Sequence, residues 1–206
     1  MKSSGKFLYN VIMGAFALTT VLGLTSCGNE KEEDTGTFIT VNKDGSIQSE
    51  IVESFGEERY DKDELQSVIL GELAVYNKKS ENNITVEKVD MDGDNVVVKM
   101  TYGESGDYAA FNKVNFYAGP PAGAEAAGFE LNVVLSGVKD ASETVGKSDI
   151  LAMENAGILI TDVDESIVLG GKALYVSEGV ETFSDGKAVR RLGEDKKLMY
   201  VIYSMK

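Results

Sequence analysis

The sequence predicts an α+β domain, with a mostly antiparallel sheet, one long amphipathic helix and one to three short helices. Three observations carry this expectation. Val96, Val98, Met100 and Tyr102 recur at every second position, the period of a strand with one buried face. Leu65, Val68, Ile69, Leu73 and Tyr76 recur at helical spacing and form one apolar stripe. Beyond residue 128, short apolar runs follow one another, punctuated by turn signals such as Gly170-Gly171 and Asp185-Gly186.

Taken in order, "TFITVNKDGSIQSEIVESF" (37–55) reads as a hairpin, because Asp44-Gly45 readily supplies a turn with positive φ. "YDKDELQSVILGELAVYNKKS" reads as the long helix, from about Asp61 to Asn77. Asp61 is placed to cap it, with Glu64 three residues on, and Lys78 and Lys79 suit the negative end of its dipole. A second hairpin follows, with "ITVEKVD" and "NVVVKMTY" flanking Met91-Asp92-Gly93-Asp94. "SGDYAAFNKV" is a short helix with Ser105 or Asp107 as its cap. "AGPPAGAEAAG" (118–128) is the expected internal break, or a turn into a short Ala-rich helix. Strands are then expected in "FELNVVLSG", "AGILITD", "SIVLG", "KALYVS", "VETF", "KAVRR" and "LMYVIYSM". The run from Leu198 to Tyr203 has no polar side, so it reads as a central strand buried on both faces.

The N-terminus carries a different kind of signal. "MKSSGKFLYN" is basic, through Lys2 and Lys6, and "VIMGAFALTTVLGL" is an uncharged apolar run of 14 residues, short of the roughly 20 that a spanning helix needs. A basic segment, an apolar segment and a small-residue cleavage zone make a secretory signal. Leu24-Thr25-Ser26-Cys27 resembles the lipobox of bacterial membrane lipoproteins. That resemblance, which covers the N-terminus alone, implies a cleaved signal peptide over residues 1–26 and a diacylglycerol on Cys27. "GNEKEEDTG" (28–36) then reads as a polar tether, so that 27–36 form the lipidated Cys and linker, and 37–206 one extracytoplasmic domain.

Composition bounds the function. With 34 acidic and 20 basic residues the net charge is -14, and removal of Lys2 and Lys6 makes it -16. Such a chain repels phosphate backbones and anionic lipid, so nucleic acid is not an expected partner and the lipid must hold it at the membrane. The absence of His removes the usual general base and the commonest transition-metal ligand. Cys27 is the only Cys, so no disulfide forms within the chain.

Four patterns in the sequence bear on chemistry. "ASETVGKSD" loosely matches a phosphate loop, with Ala141 in place of the leading Gly and then Gly146-Lys147-Ser148. Asp140 and Glu143 put negative charge where a triphosphate would lie, and too few residues precede "GILI" for a crossover helix. The expected reading is a surface loop with a solvated Lys147 and Ser148 capping a short helix, and no nucleotide. Ser-x-x-Lys pairs at Ser136–Lys139 and Ser184–Lys187 lack the companion elements of penicillin-recognising enzymes. "DMDGDN" (90–95) and "TDVDES" (161–166) concentrate oxygen ligands but lack the EF-hand order, so weak calcium binding is conceivable and no cofactor or metal is expected. Aromatics crowd Tyr102, Tyr108, Phe111, Phe116 and Tyr117, where core packing outweighs a ligand platform.

The expectation is therefore a lipid-anchored domain on the extracytoplasmic face of the cell membrane, with no catalytic constellation. Its partners would be the membrane, through the lipid, and an envelope protein or cell-wall polymer. The alternative is an exported hydrolase working through Asp and Glu carboxylates.

Overall fold

The computed structural model describes residues 36–54, 62–79, 84–193 and 197–205. The signal peptide, Cys27 and most of the tether lie outside the described residues, as does the expected helix cap Asp61.

The chain begins with a hairpin of β1 (Phe38–Val41) and β2 (Ile47–Ser54). Gly45 takes φ +90, and the Asp44 carboxylate accepts hydrogen bonds from the N–H and hydroxyl of Ser46 at 3.0 and 2.7 Å. Helix α1 spans Lys62–Asn77 and buries Leu65, Ile69 and Leu73. A second hairpin, β3 (Thr85–Asp92) and β4 (Asn95–Tyr102), turns through Gly93 at φ +58. Helix α2 (Ser105–Asn112), strand β5 (Phe116–Gly119) and helix α3 (Pro121–Ala124) follow. Then come β6 (Leu135–Gly137), β7 (Thr144–Val145), α4 (Lys147–Leu151) and β8 (Ala156–Thr161). The remaining strands are β9 (Ser166–Val168), β10 (Ala173–Val176), β11 (Val180–Phe183), β12 (Ala188–Arg191) and β13 (Met199–Ser204).

The strands form two sheets. The first has seven, in the order β11-β12-β9-β1-β2-β4-β3, and the second has six, in the order β5-β8-β13-β10-β6-β7. Phe38 of β1 pairs in parallel with Ser166 of β9, whereas β2 pairs antiparallel with β4 from Ile47↔Tyr102 to Ser54↔Asn95. One hydrophobic core joins the sheets. It unites Ile39, Ile47, Met100 and Ile167 of the first with Leu159 and Val201 of the second, and takes in Leu65, Ile69 and Leu73 of α1. A second core covers the other face of the six-stranded sheet, where Ile158, Ile160 and Ile202 meet Leu131, Ala124 and Ile150. Burying each such side chain contributes about 1.5–3 kcal/mol, which is why β8 and β13, covered on both faces, carry almost unbroken apolar runs.

This architecture corrects the α+β expectation. Strand takes 41% and helix 21% of the described residues, and the helices are four short ones, so the fold is mostly β with two packed sheets. The error has a physical source. Local periodicity shows that a segment is a strand but not which strand lies beside it, and the partition into two sheets rests on pairings such as β1 with β9. Smaller differences follow the same logic. Of "FELNVVLSG" only Leu135–Gly137 is strand, and the two-residue β7 had no periodicity to betray it. Helix α2 begins after Glu104, which makes no side-chain cap, so neither Ser105 nor Asp107 occupies the cap position. It ends on Lys113 in the left-handed region at φ 58.

Candidate functional site

At one end of the two sheets the β1–β2 turn, the β4–α2 connection, the end of β5, the β9–β10 turn and the end of β13 converge on a cleft of about 450 Å³. Asn42 and Asp44 line it from the first turn, Ser105 from the start of α2, Tyr117 from β5, and Tyr203 and Ser204 from β13. Much of the remaining wall is small: Gly45, Gly103, Gly119 and Gly170 bring the main chain itself to the surface of the cleft.

Local packing sets the two tyrosines. The Tyr117 hydroxyl donates to the Pro120 carbonyl at 2.7 Å, and its ring leans on Phe129 at 6.0 Å between centroids. The phenol end of Tyr203 lies against Gly157, in the space that a Cβ there would need. Burial, and then the neighbouring Tyr117, push the Tyr203 hydroxyl up to about 12, and burial raises Tyr117 as well. Both hydroxyls therefore stay protonated and neutral at ordinary pH, able to donate and to accept. Asp44 lies below the usual carboxylate range because the Ser46 hydroxyl and N–H stabilise its charge.

A second constellation sits at the opposite end of the seven-stranded sheet. Glu53 is on the face of β2 that carries Ile47 and Ser49, and Glu165 precedes Ile167 by two residues, so both project toward the inner side. Burial raises the Glu165 carboxyl, and Asp164 adds to the shift. Burial also raises Glu53, and the charge of Glu165 raises it further. The same Glu165 charge helps, after burial, to hold the Tyr108 hydroxyl protonated. Two carboxyls with raised pKa, one of them raised in part by the charge of the other, are the groups that acid–base chemistry uses. Neither lines the cleft.

The residues singled out in the sequence fall elsewhere. Gly146 is the cap of α4, its N–H donating to the Asp149 carboxylate at 3.0 Å, so Ser148 does not cap that helix. Lys147 is exposed, as expected, and makes a surface ion pair with Glu125 at 2.6 Å. The segment between β7 and β8 holds only a five-residue helix, and β7 is a two-residue strand antiparallel to β6. Ser184 lies in the β11–β12 turn at φ 50, and Ser136 is in β6, with its partner Lys139 exposed. Among the acidic stretches, Asp90 pairs with Lys88 and Lys62, Asp162 receives two hydrogen bonds from Asn115, and Asp164 pairs with Arg191. Among the described residues, no group of three or more His, Cys, Asp or Glu side chains is gathered to hold a metal ion. The aromatic crowd divides: Tyr102, Tyr108 and Phe116 pack in the core with centroid distances of 5.0 and 4.6 Å, whereas Tyr117 turns to the cleft.

Sequence reading missed Tyr203, Glu53 and Glu165 as site residues. Tyr203 belongs to an apolar run, and Glu53 to the end of a strand, where a charge is unremarkable. No local signal distinguishes them. The chain matches no protein-family model, no curated protein and no solved structure.

Proposed function

We propose that the chain is a lipid-anchored lipoprotein, held on the extracytoplasmic face of the membrane by a diacylglycerol on Cys27. Its folded part binds another surface component, a protein or a cell-wall polymer, through the cleft beside Tyr117 and Tyr203, and performs no chemistry on it. The observation that supports this reading is the cleft itself. At about 450 Å³ it falls within the ~300–1,000 Å³ typical of ligand sites, and its wall mixes tyrosines, small residues and main chain. The acidic surface disfavours nucleic acid and nucleotide as partners.

Two measurements test the reading. Radiolabelled palmitate should enter the wild-type chain and not Cys27→Ser, which should leave the membrane fraction. Retention of envelope material by the purified chain should fall in Lys43→Trp, which fills the mouth of the cleft from an exposed position. Equal retention by that variant would remove the cleft from the account.

The pairing of Glu53 with Glu165 favours a second reading, an exported hydrolase with one carboxyl as acid and the other as base. Under that reading, hydrolysis of a glycan or ester substrate would disappear in both Glu53→Gln and Glu165→Gln while Lys43→Trp retained it.

A further inference from the structure

We infer that the cleft takes an uncharged, polyhydroxylated ring, a unit of a neutral glycan, an inference that rests on the reading of the cleft as the binding site. The first ground is charge. Lys43 is the one cation among the described lining residues, against the carboxylates of Asp44 and Glu104, and the chain as a whole carries -14. An anionic ligand would enter against this field. The Asp44 carboxylate is turned back on its own loop, where Oδ1 accepts both the N–H and the hydroxyl of Ser46.

The second ground is the texture of the wall. Ala118, Pro120 and Met205 are the only apolar side chains besides the tyrosine rings, too few to cover a lipid tail or an apolar helix. The polar groups are neutral and mixed in sense: the Tyr117 hydroxyl, whose proton goes to Pro120, is left to accept, the Ser204 hydroxyl, which accepts from the Lys172 N–H, is left to donate, and the Asn42 amide and Ser105 hydroxyl have capacity of both kinds. A sugar ring has the complementary surface, with C–H faces that rest on aromatic rings and hydroxyls that hydrogen-bond in either sense. Both tyrosines remain neutral at ordinary pH, so this set does not change its hydrogen-bonding character there.

The third ground concerns the competing occupant, an added peptide strand. β5 is the outer strand of the six-stranded sheet and runs into the cleft. It is four residues long, α2 packs against it, and Pro120, which has no N–H, follows it directly. An extended peptide would find almost no ladder to join.

The test uses the full chain in detergent and saturation-transfer NMR with five probes: maltotriose, cellotriose, chitotriose, tetra-alanine and inorganic phosphate. At least one trisaccharide should give saturable ring-proton signals, weakened tenfold or more in both Lys43→Trp and Tyr117→Ala and unchanged in Lys139→Trp, an exposed site away from the cleft. Tetra-alanine and phosphate should give none. Signals from tetra-alanine or phosphate alone, lost in Lys43→Trp, would overturn the glycan assignment and leave the cleft as a binding site. Silence from all three sugars would also overturn it, and the envelope-retention assay with Lys43→Trp would then show separately whether the cleft binds at all. Sugar binding that Lys43→Trp and Tyr117→Ala leave intact would overturn both.

Discussion

The ring of Tyr203 occupies the space that a side chain on Gly157 would need, so strand β13 seats its last aromatic against strand β8 only because residue 157 has no Cβ. The pair Tyr203↔Gly157 is in direct register, and both residues are buried. Gly157→Ala is therefore expected to drive the ring off its seat, at a cost of about 1–3 kcal/mol for overpacking a core site. Urea denaturation measures the loss. Since Tyr203 lines the cleft, ligand retention should weaken in the folded fraction as well, and an unchanged midpoint would refute the seating.

Gly171 presents a harsher version of the same constraint. A Cβ there would meet the carbonyl oxygen of Ser204, which is main chain and cannot rotate away. The Ser204 N–H donates to the Lys172 carbonyl at 2.9 Å, and the Lys172 N–H to the Ser204 hydroxyl at 3.0 Å. Gly171→Ala should break both bonds and cost roughly 3 kcal/mol or more, beyond ordinary overpacking. Soluble yield and thermal midpoint should fall below those of Gly157→Ala.

The glutamate pair makes stability depend on pH with a definite sign. Glu53 and Glu165 both have raised pKa values in the fold, from an ordinary 4.5, so the folded chain holds protons at pH values where the unfolded chain has lost them. Their contribution accordingly weakens as pH rises from about 4.5 through the folded values. Glu165→Gln should raise the urea midpoint at pH 7 and flatten its dependence on pH, with the gain vanishing near pH 4. A gain that persists undiminished at pH 4 would assign the effect to packing instead.

Arg191 and Asp164 tie β12 to the β8–β9 connection. The Arg191 side chain is 6% exposed, its Nε lies 3.1 Å from the Asp164 carboxylate, and its Nη1 donates to the Lys197 carbonyl. Asp164→Ala takes one carboxylate away from a nearly buried guanidinium. The expected loss is about 1.5–3 kcal/mol, the scale of a hydrogen bond to a charged group, tempered by the exposure of Asp164. Asp164→Asn should recover part of it, since the amide oxygen still accepts.

What a single sequence reveals here is local. The hairpin at Asp44-Gly45, the alternation from Val96 to Tyr102 and the doubly buried run ending at Tyr203 each announce themselves within ten residues, because turn conformation and one-sided burial act at that range. The fold class was misjudged because Phe38 beside Ser166 leaves no mark on either segment. The site suffered the same fate. Tyr117, which helps to raise the Tyr203 hydroxyl, is 86 positions from it, and Glu53 feels the charge of Glu165 from two strands away, across β1.

The parallel pairing of β1 with β9 also bears on how the molecule assembles. The middle of the seven-stranded sheet closes only when segments roughly 130 residues apart find each other, a contact order that slows folding from microseconds toward seconds. Under the proposed export, a polypeptide threaded through a translocation pore before it collapses is well served by such delay.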